Sequence, residues 1–305
     1  MSRAPLLPAY SAGQPEAGGG PDREYGPPAG LRQRPLVFAH RGCSSLAPEN
    51  TMAAYKKARD FGVPGIELDI HATLDGKLAV AHDDTFKRTA PPDNNGGGRL
   101  LEELSYDEIR RIDVGSFFGS PWSSERPPLL EDVLEEFCPA MYVDIELKSR
   151  KTKNDSLPGL LAEKLKALGG TISSAVTVSS FNPFALRTFK KAWYEIRNGQ
   201  KRKAGAGRRA LRETPDIPTA VIWSADREVP PVLRYGLGRI PAGCDYLKPV
   251  CKQVNAFSMF RFKLEGRPVV PWTVDDLPLA EKLINAGCAG IITNRPQDMT
   301  GLWAK

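Results

Sequence analysis

Eight short apolar segments punctuate this chain, beginning near residues 36, 66, 142, 175, 219, 246, 269 and 290, with helical or loop-rich stretches between them. Strands separated in this way pair in parallel, because parallel neighbours need a crossover rather than a tight turn. Eight such units predict a closed (β/α)8 TIM barrel in preference to an open doubly wound sheet. No Gly-x-Gly-x-x-Gly follows the first strand, Leu36–Ala39, which removes the commonest reason to expect a dinucleotide fold. Helices are predicted near 52–61, 105–111, 131–137, 157–168, 183–195 and 278–286, with a weak one before residue 246. Asn50 or Thr51 is the expected cap of the first.

Residues 1–34 are rich in Pro, Gly and Ala and have no periodicity, so a disordered tail is expected ahead of a barrel domain over 35–305. The stretch from about 85 to 128 is long for a connection, and reads as a small substrate-facing insertion after the second barrel strand. No apolar run reaches the roughly 18 residues of a membrane span, and no secretory signal pattern is present. The five cysteines are odd in number and scattered, which points to a reducing compartment, the cytoplasm. Charge is uneven. Residues 190–212 hold nine Lys or Arg against one acid, so the rest of the chain is slightly acidic although the total is +6. A nucleic-acid role is therefore not supported. The segment reads first as a solvated loop, and second as a weak contact for anionic membrane or polyphosphate.

A barrel places its site at the C-terminal ends of its strands, and the polar residues of this chain gather there. Ile66-Glu67-Leu68-Asp69-Ile70-His71 alternates with period two, so Glu67, Asp69 and His71 share a face. Asp75-Gly76 reads as a hairpin turn that returns the chain to His82. A solvated edge strand would account for one such pattern. A third carboxylate, Glu146 on another strand, makes a cluster that needs a cation, and all-oxygen ligands select Mg²⁺ or Ca²⁺. His71 is a candidate additional ligand. Two of the three histidines, His40 and His82, flank the cluster as a candidate acid–base pair. Arg41 offers a planar fork for phosphate oxygens, and Trp272 reads as a pocket wall. A cation, an Arg, a Lys and paired histidines together describe phosphoester cleavage.

The ordered motifs His40-Arg41-Gly42, Pro48-Glu49-Asn50-Thr51, Glu67-x-Asp69, Thr73-x-Asp75-Gly76, Val80-x-His82-Asp83 and Glu146-Leu147-Lys148 resemble the glycerophosphodiester phosphodiesterase family. Ser179-Ser180-Phe181, Trp272-Thr273-Val274 and Gly290–Pro296 are similar to its later blocks, so the resemblance covers about 36–298. It implies a TIM barrel performing metal-dependent hydrolysis of small-molecule glycerophosphodiesters to glycerol 3-phosphate and an alcohol. Carried over by position, His40 and His82 are the acid–base pair. Glu67, Asp69 and Glu146 hold the metal, and Arg41 and Lys148 contact phosphate. Asn294 departs from the family, which commonly has Asp there. Glu49 and Asn50 are read either as supports of the site or as helix-cap residues. Two other readings stay open: a lysophospholipase D-type enzyme at a membrane surface, and a non-catalytic binding barrel.

Overall fold

The computed structural model describes residues 35–91, 97–149, 155–203, 216–227 and 229–303, with only the backbone for 200–203. The expected tail at 1–34 lies outside these residues, as does the basic segment beyond 203. In chain order the elements are β1 (Leu36–His40), α1 (Met52–Asp60), β2 (Gly65–Ala72), β3 (Leu78–Val80), α2 (Tyr106–Ile109), α3 (Leu130–Phe137), β4 (Tyr142–Leu147), α4 (Leu157–Leu168), α5 (Gly170–Ser173), β5 (Val176–Ser180), α6 (Pro183–Lys203), β6 (Thr219–Trp223), α7 (Arg239–Ala242), β7 (Tyr246–Pro249), α8 (Ala256–Leu264), α9 (Leu277–Asn285) and β8 (Gly290–Thr293).

The strands run side by side in the order β7-β6-β5-β4-β2-β1-β8, all parallel, with β3 antiparallel to β2 off the path. Residues 268–274 bridge the two ends of this ladder. On one side Leu247 N–H donates to Pro268 O at 3.0 Å and Trp272 N–H to Pro249 O at 3.1 Å. On the other, Ile292 N–H donates to Pro271 O and Val274 N–H to Ile292 O, both at 2.9 Å. The ring of a TIM-type barrel closes through this segment. A regular strand was predicted there from residue 269. Pro268 and Pro271 have no N–H to give, so the ladder is carried by isolated bridges instead.

Period two then decides what faces the barrel axis. Phe38, Tyr142, Ala175, Ala220, Tyr246, Val270 and Ile292 form one buried apolar layer. Two residues further along several of the same strands stand His40, Asp144, Thr177, Lys248, Trp272 and Asn294. The inward face thus changes from apolar floor to polar mouth within one pleat. A larger cluster, including Val37, Leu68, Ile145, Leu161, Leu186 and Val221, fills the space between ring and helices.

Between β3 and α3 the excursion has a small core of its own, with Phe86, Leu101, Leu104, Ile109, Ile112 and Val114 closed against Ala79 and Ala81. Ser105 and Glu108 form a capping box at α2, and Ala53 N–H donates to Glu125 Oε2 at 3.3 Å, tying the excursion to the start of α1.

Three helical features differ from expectation, the first being the four-residue α5, which has no counterpart among the predicted helices. α6 continues through Lys203, so the first part of the basic segment is helical rather than loop. α8 was not predicted. Its signal was present in the Asn255 cap, whose side chain accepts from Ser258 N–H while Ser258 Oγ accepts from Asn255 N–H, ahead of an apolar run.

Candidate active site

The β1–α1 loop sets the site's first wall. His40 ends β1, and Arg41 and Gly42 follow with left-handed φ of 57° and 79°. The turn aims Arg41 N–H at Glu67 Oε2, at 3.0 Å. Only glycine fits next: a Cβ on Gly42 would lie 2.6 Å from Ala54 Cβ. Of the two possible caps, Thr51 takes the role, its side chain accepting from Ala54 N–H at 3.3 Å. Asn50 is thereby released to the site. With φ of 56°, it donates Nδ2 to Asp69 Oδ2 at 2.9 Å and accepts from the Tyr55 hydroxyl at 2.9 Å.

β2 and β4 bring the carboxylates together. Their register sets Glu67 beside Asp144 and Asp69 beside Glu146. Glu67, Asp69 and Glu146 are all buried and offer oxygens within 4.8 Å of one another. Burial, and then the neighbouring Asp69 and Glu146 charges, push the Glu67 carboxyl well above its ordinary range. Burial would raise Asp69 as well, but Lys148 and Arg41 outweigh it and hold that carboxyl below the usual range. Lys148 Nζ stands 2.9 Å from Glu146 Oε1 and 3.3 Å from Asp69 Oδ1. Asp69 Oδ1 is buried yet accepts no hydrogen bond among the described residues. Three hard oxygen donors, a repelled Glu67 and a buried Asp69 oxygen that has the Lys148 charge nearby but no hydrogen bond fit a divalent cation such as Mg²⁺ or Ca²⁺. His71 does not join them: its Nε2 faces the carbonyl of His82 at 3.2 Å.

The two candidate acid–base residues have different partners. His40 Nδ1 lies 2.6 Å from Asn294 Oδ1, while its Nε2 points toward Glu67 Oε2 at 3.9 Å. Burial and the adjacent Arg41 charge bring His40 down to about 4, so the ring is neutral at neutral pH. His82 Nδ1 pairs with Asp83 Oδ1 at 2.6 Å. Asp83 is held in turn by Arg88 Nε at 2.8 Å, and Arg88 reaches Glu49, which also clamps Arg41. The excursion thus laces the His82 side of the site to the Arg41 side.

Level with His40 and Glu67, Lys248 and Asp144 form a buried ion pair, and Ser179 Oγ donates to Asp144 at 3.0 Å. This pairing satisfies Asp144 in place and keeps it apart from the three clustered carboxylates. Trp272 Nε1 donates to Lys248 O at 3.0 Å, and its ring meets Phe181 edge-on at 5.5 Å. Every residue named from sequence as a site residue therefore stands on this face. Sequence reasoning missed Asp275 and Arg88. Asp275 receives Asn294 N–H and Nδ2 at 2.7 Å each and Thr293 Oγ1 at 3.1 Å. Its only signal was a carboxylate just beyond a strand end; Arg88 has no local signal at all.

Residues 40–298 match the profile of the Glycerophosphoryl diester phosphodiesterase family. A glycerophosphodiester phosphodiesterase of Caldanaerobacter subterraneus subsp. tengcongensis is 32% identical over 286 residues, covering 88% of this chain and 98% of that one. One from Bacillus altitudinis is 29% identical, over 85% of this chain and 94% of its own. Among solved structures, an Oleispira antarctica phosphodiesterase in complex with the product sn-glycerol-3-phosphate superimposes with a TM-score of 0.69 at 25% identity, covering 89% of this chain and 98% of that chain. The glycerophosphodiester phosphodiesterase of Agrobacterium tumefaciens shares the fold, with a TM-score of 0.65 at 22% identity over 88% of this chain and 99% of its own. A family match over residues 40–298, and a relative 32% identical along almost its full length, carry the conclusion: the chain belongs to the glycerophosphoryl diester phosphodiesterase family.

Proposed function

We propose that this chain hydrolyses glycerophosphodiesters, with His40 as general base and His82 as general acid. The observation that carries this reading is the asymmetry between the two histidines around one carboxylate cluster. Asp275 accepts from Asn294 Nδ2, so the Asn294 oxygen is left to face His40 and can only accept. His40 therefore carries its proton on Nδ1, and its Nε2 lone pair is turned toward the site. A neutral ring in that tautomer is ready to take a proton from an attacking water. His82, donating Nδ1–H to the Asp83 carboxylate, has its ring held in place with Nε2 free for the leaving group.

Water oxygen bonds to phosphorus while its proton passes to His40 Nε2. The bond from phosphorus to the alcohol oxygen breaks, and His82 Nε2–H gives that oxygen a proton. The products are glycerol 3-phosphate and the alcohol. Arg41 and Lys148 stand beside the carboxylates as the cations that would meet the phosphate oxygens. Glu67, Asp69 and Glu146 would hold a divalent cation, which when bound neutralises charge on the phosphoryl group. Trp272 and Phe181 would form an apolar wall for the glycerol or head-group end. The excursion, which supplies Arg88, stands where it can shape access to the site.

The testing experiment is release of glycerol 3-phosphate from glycerophosphocholine, after EDTA and then with Mg²⁺ or Ca²⁺ restored. His40→Ala and His82→Ala are each expected to lower the rate by about 10²-fold or more with the fold intact. His82→Ala should lose much less on a substrate whose leaving group is an activated phenol, because that oxygen needs no proton. Equal losses on both substrates would remove His82 from the acid role. Near-normal turnover in both variants would overturn the mechanism.

A further inference from the structure

Helix α8 has its apolar surface on the wrong side for a helix that faces only water. Its one buried residue is Phe262, whose ring meets Trp223 at 5.8 Å. Phe257, Phe260 and Leu264, spaced i, i+3 and i+7, form a second apolar stripe that is exposed. The neighbouring stretch before and through α7 does the same with Val232, Tyr235 and Ile240. These six side chains are 61–73% exposed. The two stretches are joined along the barrel flank, by the Arg239–Glu265 ion pair at 3.1 Å and by Gln253 Nε2 donating to Arg234 O at 3.1 Å. Exposed apolar side chains gathered on two elements tied together in this way, unlike singly scattered ones, mark an interaction surface.

The charge around the patch says what it meets. Lys252, Arg261 and Lys263 are exposed within it. The acid at its edge, Glu265, is taken by Arg239 and Arg267. From Val229 to Leu264 the one acidic residue is Asp245, which accepts from Thr219 N–H and Oγ1. A second copy docked through the same flank would bring more Lys and Arg and no free acid to meet them. Exposed aromatic and aliphatic side chains ringed by unopposed Lys and Arg are the composition that suits an anionic lipid surface. We propose that this α7–α8 flank docks the protein on anionic bilayers, the apolar side chains entering the headgroup boundary and the basic ones meeting lipid phosphates.

The test is flotation of the full chain with phosphatidylcholine vesicles, with and without phosphatidylserine. The wild type is expected to float with the phosphatidylserine-containing vesicles, and less so at high salt. Phe257→Ser with Phe260→Ser, and separately Arg261→Glu with Lys263→Glu, should each reduce binding by about tenfold. Both double variants should keep the melting temperature and the turnover of water-soluble substrate. A wild-type chain that stays in the soluble fraction would overturn the proposal, as would undiminished binding by the Phe257/Phe260 variant. So would a dimer that the Phe changes dissociate without any vesicle binding, which would assign the flank to self-association.

Discussion

Asn294 holds His40 by a single 2.6 Å hydrogen bond, and the Asp275 carboxylate behind it leaves the amide only one way to face. The two residues lie at the ends of β1 and β8, which the register pairs in parallel. If Asn294 works by orienting the ring, Asn294→Ala should lower kcat by about tenfold with KM little changed. Asp275→Ala should give a similar loss, and the double variant should be hardly worse than either single one, because they act through one contact. Additive losses would mean that Asp275 acts on something other than Asn294.

The cation site gives a second prediction. Glu67→Gln replaces an ionisable carboxylate donor with a weaker, neutral amide oxygen while keeping the volume. Binding of Mg²⁺ or Ca²⁺ followed by calorimetry should weaken by at least about tenfold, alongside the loss of activity. Unchanged titration would place the ion elsewhere. Asp144→Asn serves as the comparison. Its carboxylate is already committed to Lys248 and Ser179, so that change should affect stability more than cation affinity.

Gly42 fixes the turn that carries Arg41 into the site. At φ of 79°, with an added Cβ meeting Ala54 at 2.6 Å, Gly42→Ala is expected to destabilise the protein by about 2 kcal/mol or more. Denaturant midpoints measure this directly. A loss of activity greater than the fraction unfolded would show that the displaced turn also moves Arg41 N–H off Glu67.

His71 provides a pH signature of the fold. Burial holds its ring down to about 4 from an ordinary 6.5. Between those values the unfolded chain binds more protons than the folded one, so this contribution is fully present above about pH 6.5 and is lost as pH falls toward 4. His71→Gln should flatten the decline, by up to about 1 kcal/mol per pH unit. Urea midpoints of both proteins at pH 7 and pH 5 check it; parallel declines would assign the acid sensitivity to other groups.

Much of this molecule was legible in its residues. Strand periodicity located seven of the parallel strands and put Glu67 and Asp69 on one face, because side-chain direction in a strand depends only on sequence parity. The same parity carried Phe38 to His40 and Tyr246 to Lys248, from apolar floor to polar mouth. The irregular segment at 268–274 has the apolar content of a strand, which is what the residues alone predict. What makes it irregular is the ladder partners that its prolines fail to supply.

Other features were decided only when the chain closed. Whether Asn50 or Thr51 would cap α1 was open from sequence, since either side chain can accept the N-terminal N–H groups; Asp69 across the loop settled it by drawing Asn50. Asp144 and Glu146 look alike on β4, yet Lys248 from β7 neutralises one and leaves the other with the carboxylate cluster. Asp275 and Arg88 owe their roles to partners distant in the chain, Asn294 in one case and Glu49 in the other. Local pattern determines which way a side chain points, because that follows from backbone geometry. Which charge it meets there depends on strands that only the closed barrel brings within a few ångströms.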